Sequence, residues 1–281
     1  MDPKFAEEEL CESVTIPTLP SVVQRINQML LDPEVGLREI GAEVAKDAPI
    51  ATKVLRIANS AFYGLRERVI STEHASCVLG MRVLKNIVMQ ASVIGQFKHL
   101  AGAAGFDVEA LWRHAILSAE TAQRMAQNCR ADLGLMPEEF HSAGLLHDVG
   151  QVVLLDNRPE EFLRAVQLSV ELGVELHMAE KEIFGFDHAS IGARVAERWG
   201  LPSLLVAAIG QHHRLPKDLT DQPAVTLIAL TNSLCEVVPT GDEAASLATW
   251  DARAGATLGL EQQGFLKVAA EALKRYPSIE I

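Results

Sequence analysis

The 281 residues are 48% hydrophobic and 5% aromatic, and 37 acidic side chains against 25 basic ones leave a formal charge of −12. This is material for one large domain or two small ones with a buried core, and it is too apolar for intrinsic disorder. The negative balance excludes a chain built to coat nucleic acid, which needs clustered cations to displace counterions from phosphates.

The acidity is uneven: residues 1–100 hold 11 Lys/Arg against 12 Asp/Glu, whereas residues 101–281 hold 14 against 25. No run of 18 uncharged apolar residues reads as a membrane span. The start, Met1 to Phe5 followed by Glu7, Glu8 and Glu9, lacks a basic-then-apolar signal pattern, so a cytoplasmic protein is expected, with no membrane or direct nucleic-acid contact. Cys11, Cys77, Cys129 and Cys235 are far apart and form no CxxC pair, which reads as reduced, mostly core-filling thiols.

Apolar residues recur three and four apart almost throughout, predicting roughly a dozen helices and no strand hairpin. The first stripes are Leu19, Val22, Val23, Ile26, Met29 and Leu30, then Leu37, Ile40, Val44 and Ala45. Asp47-Ala48-Pro49 ends one helix and opens the next, since proline at a first-turn position gives up an N–H that has no helical partner. Asn59 and Ser60 read as backbone-bonding residues at a helix end, with Phe62 and Tyr63 packing between subdomains. Ser71 is placed to cap a helix that Gly80 terminates, after which Met81 to Val93 resumes.

Leu100-Ala101-Gly102-Ala103-Ala104-Gly105 is the best boundary and coincides with the change in charge. Beyond it, Trp112 and Trp199 read as anchors between helices. Pro137 with Glu138 and Glu139 opens a helix whose positive end those carboxylates complement. Asp187 precedes a run ending at Trp199-Gly200-Leu201-Pro202, and Ser203 to Gln211 follows.

Seven of the nine histidines lie past the boundary. His147-Asp148 sits inside an apolar, helical run, where ionisable groups are costly unless paired or bound to metal. About 100° apart on a helix, the two could lean towards one ion, and imidazole with carboxylate suits zinc, iron or manganese. His212-His213 falls where a helix should finish, and the simpler reading there is dipole capping.

Trp112-Arg113-His114, Gly144 to Gly150, Phe184 to His188 with Ile191-Gly192-Ala193, Trp199 to Pro202 and His212-His213 together resemble the HDOD family, the HD-related output domains of bacterial signalling proteins. Ile16 to Pro20, Asp47 to Pro49, Leu55 to Gly64 and Ile70 to Gly80 are similar to that family's opening half. The resemblance implies an all-α fold in which an N-terminal helical bundle packs on an HD-type helical core. The module would span 16–213, with subdomains 1–105 and 106–238 and a C-terminal helical appendage at 239–281.

By the same resemblance, His114, His147 and Asp148 match the first ligands of the HD metal site, and His188, His212 and His213 match the added histidines of HD-GYP phosphodiesterases, which cleave cyclic di-GMP. Three positions depart from that pattern. The final aspartate is matched by Asn232, the glutamate before the first histidine by Ala110, and the phosphate-contacting lysine by Gln151. No Gly-Tyr-Pro signature follows His213.

The expectation is therefore a non-enzymatic signal-transduction module acting through signalling proteins, with iron, manganese or zinc as candidate occupants of its pocket. The alternatives are a metal-dependent phosphohydrolase acting on a nucleotide or cyclic di-GMP, and a receptor for a nucleotide second messenger. Gln151, Asn232, Arg113 and Arg214 are the candidate ligand-binding residues, the arginines because a guanidinium meets phosphate bidentately.

Overall fold

The computed structural model describes residues 14–18, 21–29, 32, 34–59, 67–214, 222–279 and 281. Every regular element among them is helical, so the fold is all-α. The chain divides into two compact units, residues 19–99 and residues 1–18 with 100–281.

The first unit is built from α1 (Ser21–Met29), α2 (Leu37–Val44), α3 (Ala48–Ala58) and α4 (Thr72–Gln96). Ile40, Val44, Ile50, Val54, Leu84, Val88 and Val93 form its core. Burying each such side chain contributes about 1.5–3 kcal/mol relative to exposure. Gly41 lets α2 approach α4 closely, since a Cβ there would fall 2.5 Å from Glu73 Cα. Ser71 caps α4 by accepting from the His74 N–H, and Gly80, non-helical at φ 76° and ψ 165°, breaks α4 into two helical stretches joined at a kink, as the sequence predicts.

In length and composition α4 could cross a membrane, but half of its apolar window is buried and α1, α2 and α3 all pack on it. It serves as the core helix of this bundle. Asn59 bridges the end of α3 to Val69, donating to the Leu55 and Val69 carbonyls and accepting from the Val69 N–H, as expected of a residue that closes a helix. Ser60, Phe62 and Tyr63 lie outside the described residues, as does Cys11.

The second unit carries α5 (Val108–Asn128), α6 (Pro137–Leu146), α7 (Val149–Asn157), α8 (Pro159–Leu172), α9 (Leu176–Phe184), α10 (His188–Arg198), α11 (Ser203–Gly210) and α12 (Pro223–Val237). It ends in α13 (Glu243–Ala248), α14 (Ala252–Leu258) and α15 (Gln262–Arg275). Phe140, Phe162, Phe186, Phe265, Leu117 and Met125 are among its fully buried side chains. Residues 239–281 close on this same core: α15 packs along α5, and Arg275 grips Glu120 through two hydrogen bonds of 2.7 and 2.9 Å. Trp199 is buried and donates its indole N–H to the Pro17 carbonyl, tying the segment before α1 to this unit. Cys129 and Cys235 are free and wholly or partly buried, but Cys77 is exposed and fills no core.

Two glycines set the helix crossings that matter most. A Cβ on Gly144 would meet Ser118 O at 2.5 Å, so α6 lies directly on the α5 backbone. A Cβ on Gly150 would meet His188 O at 2.0 Å, so α7 lies on the first turn of α10. Only glycine permits either approach.

Candidate metal centre

Between those two crossings the chain breaks. α6 ends at Leu146 and α7 starts at Val149, so His147 and Asp148 occupy a turn between two helices. This corrects the sequence expectation of one continuous helix. Asp148 has φ −99° and ψ 5°, the sparsely populated bridge region where active-site residues are often found. Its carboxylate faces two groups of ligands, one with each oxygen.

On the Oδ2 side, His147 Nε2 lies at 3.4 Å and His114 Nε2, from α5, at 3.6 Å. The two Nε2 atoms are 3.0 Å apart, and Asn232 Oδ1, from α12, is 3.1 Å from each. On the Oδ1 side, His188 Nε2 lies at 3.1 Å and His212 Nε2 at 3.4 Å, while His213 Nε2 is 2.8 Å from His188 Nε2. His147, His188 and His212 are each no more than 1% exposed.

Second partners aim these rings. His147 Nδ1 bonds the Gly144 carbonyl at 2.7 Å, and His212 Nδ1 bonds the Ile209 carbonyl at 2.7 Å. His212 thus caps the end of α11 with one nitrogen and presents the other to Asp148, so helix capping and ligand geometry coexist in one ring. His188 opens α10 behind the Asp187 cap, and both its backbone N–H and Nδ1 donate to Glu180 Oε2, at 2.8 and 2.6 Å. A nitrogen that donates behind leaves a lone pair in front, which is how ligating histidines are normally oriented.

Charge follows from this geometry. Burial and the neighbouring His147 imidazole push His114 down; for His147, Asp148 outweighs burial and its net shift is upward. On the other side burial opposes charge on His188, but Glu180 and Asp148 raise it well above the usual histidine range. Burial lowers His212 to about 4 and lowers His213 as well. Despite burial, the surrounding imidazoles hold Asp148 well below the carboxylate range. Each side therefore sets an imidazole that holds its proton more tightly beside others that hold theirs less tightly, around the buried carboxylates Asp148 and Glu180.

The donors fit a divalent cation. Neutral His114 and His147 would aim lone pairs at each other and at the Asn232 oxygen, an arrangement that is repulsive unless a proton or cation sits among them. His212 Nε2 is buried with no hydrogen-bond partner. Asp148, His188, His212 and His213 form one group with donor atoms within 4.8 Å of one another, and His114, His147 and Asp148 form another. Imidazole with a carboxylate is the ligand mix of zinc, iron and manganese.

All six predicted metal ligands converge, and so does Asn232. Gln151 is buried in the first turn of α7, its N–H donating to the Asp148 carbonyl. Arg113 pairs along the helix with exposed Glu109, and Arg214 is exposed. Sequence reasoning missed Glu180 and Glu236. Glu180 is a fully buried carboxylate in α9, eight residues before His188, and an acidic residue at a core position was its available signal. Glu236, one turn after Asn232, accepts the Asn232 amide N–H at 2.8 Å and so turns Oδ1 towards the histidines.

The HDOD domain family model matches residues 16–215. An HDOD domain protein of unknown function from Geobacter sulfurreducens is 24% identical with a TM-score of 0.79, the match covering 98% of this chain and 96% of that one. A candidate phosphohydrolase from Shewanella amazonensis is 21% identical with a TM-score of 0.73, covering 98% of both chains. These two likenesses concern the fold. An uncharacterised Treponema pallidum protein is 28% identical over 218 residues, 77% of this chain, and the match spans only 41% of that protein's length.

Proposed function

We propose that this chain, which belongs to the HDOD family, is a signal-transduction module that binds a divalent metal in its His/Asp cluster and turns over phosphodiesters poorly or not at all. The observation that carries this reading is the supply of anions. Among the described residues, Asp148 and Glu180 are the buried carboxylates that contact these imidazoles, enough to balance one dication when the ligating imidazoles are neutral. A second dication would sit against His114, His147 and a neutral amide, sharing Asp148 with the first.

Asp148, His188, His212 and His213 would hold the ion, with Glu180 orienting His188. A metal bound there supplies Lewis acidity and a cross-link between α7, α10 and the turn after α11. His188 at the start of α10 and His212-His213 after α11 then become jointly constrained. Partner proteins would read that ordered surface, and a cytoplasmic setting suits the free thiols of Cys77, Cys129 and Cys235.

A second reading, a phosphodiesterase acting on a cyclic dinucleotide such as cyclic di-GMP, is favoured by the way Asp148 offers one oxygen to each ligand group, the layout of a two-metal site. One variant separates the two. Asn232→Asp adds the missing anion on the Oδ2 side. The expected result is about one tightly bound ion and no turnover of bis-p-nitrophenyl phosphate or cyclic di-GMP in the unmodified protein, with a second ion acquired by the variant. Efficient turnover by the unmodified protein, lost in His147→Ala, would overturn the signalling reading in favour of the hydrolase.

A further inference from the structure

A third set of donors converges on the outer side of His213. Glu175 is the N-cap of α9, and His177 follows two residues later. His177 Nδ1 stands 3.1 Å from Glu175 Oε2. That nitrogen is shut off from solvent, and the approach lacks hydrogen-bond geometry, so the atom has no hydrogen-bond partner. The His177 ring stacks on His213 with centroids 4.1 Å apart and planes 17° apart. One donor atom from each of Glu175, His177 and His213 lies within 4.8 Å of the other two.

These side chains form a graded path. Side-chain exposure falls from 66% at Glu175 to 14% at His177 and 1% at His188, with half-buried His213 in between. The last step is the 2.8 Å contact of His213 Nε2 with His188 Nε2. Two stacked imidazoles with a buried, unbonded nitrogen and a carboxylate at its edge are a poor structural arrangement. Near the N-terminus of α9 a protonated His177 would also face the positive end of the helix dipole. The same atoms make a ready set of ligands: the donor types suit a borderline divalent cation, and a ring with two nitrogens allows His213 to face both outwards and inwards.

We infer that Glu175, His177 and His213 form an outer site for a borderline divalent cation such as Zn²⁺ or Co²⁺, from which the ion passes inward to the buried cluster through His213. This goes beyond the reading of the inner cluster and shares with it only His213.

The test uses the full chain stripped with chelator and titrated with Co²⁺ alone, read by equilibrium dialysis and the visible absorption of the bound ion. Glu175→Gln, at an exposed position, and His177→Ala are each expected to lose the weaker of the bound ions, or to weaken it by at least ~10-fold, while the tighter ion stays. Both variants should also slow loading of the tighter ion. Asp148→Ala is expected to lose the tight ion and keep the outer one. Unchanged stoichiometry, affinity and loading rate in both Glu175→Gln and His177→Ala would overturn the outer site. Unchanged binding in Asp148→Ala would instead count against the inner cluster, so the two failures are distinguishable.

Discussion

The two sides of Asp148 are built alike and charged differently. Each side brings in a histidine by way of a glycine crossing, Gly144 on Ser118 for His114 and Gly150 on His188 for His188 itself. Each pairs a histidine raised in pKa with a lowered one. The Oδ1 side has a third imidazole and a buried carboxylate behind His188, whereas the Oδ2 side has an amide whose carboxylate partner stands one helical turn away. The contrast teaches that convergence of the right residue types does not by itself make a two-metal site. The number of anions within reach decides how many dications can stay.

The comparison breaks most completely at Asp148, the residue common to both sides. Asp148→Ala should reduce affinity for the tightly held metal by more than ~100-fold, beyond the loss expected of a residue that only supports a ligand. It should also abolish the metal-dependent rise in melting temperature, measured by calorimetry with and without Zn²⁺.

Acid should act next. Burial lowers both His212 and His141, on α6, to about 4. The unfolded chain binds protons at these positions from about pH 6.5 downwards and the folded chain does not. Their contribution is therefore fully present above that pH and is lost as the pH falls towards 4. For the chelator-treated protein, His141→Gln should remove up to about 3 kcal/mol of the stability difference between pH 7 and pH 4, seen as converging urea midpoints. An unchanged pH dependence would mean that His141 is not held neutral by its surroundings.

The glycine crossings separate the two sides physically. Gly150→Ala forces a Cβ against the His188 carbonyl and should cost about 1–3 kcal/mol by overpacking, while loosening the metal held with His188. Gly144→Ala should cost a similar amount through Ser118 and displace His114 instead, leaving the tighter ion in place. Equal loss of that ion in both variants would show that the two sides act as one.

The smallest change is expected at Glu236. Glu236→Gln keeps the side chain's size but frees the Asn232 amide to flip, and its effect on the tightly bound ion should stay below about 10-fold. A larger loss would place Asn232 among the ligands of that ion.

Much of the fold was legible from local pattern. Apolar spacing announced helices throughout, Ser71 capped where a cap was expected, and Pro137 with its two glutamates opened α6. Among the histidines, the adjacent pairs in apolar surroundings stood out because burial of such groups needs a reason. Glu180 and His177 escaped notice because each looks like an ordinary polar residue on an amphipathic helix. Nothing within α9 reveals that its inner edge meets His188 and His213.

The sequence by itself determined which segments are helical, which residue types were available as ligands, and that a neutral amide stands where an aspartate was expected at 232. Only the tertiary structure decided that residues as far apart as His114 and Asn232 share one pocket, that Asp148 divides it, and that Glu236 turns the Asn232 oxygen inward. The reason is physical. Helix formation depends on neighbours three and four residues away, whereas the charge balance of a buried site depends on whichever side chains the packing of distant helices brings within a few ångströms.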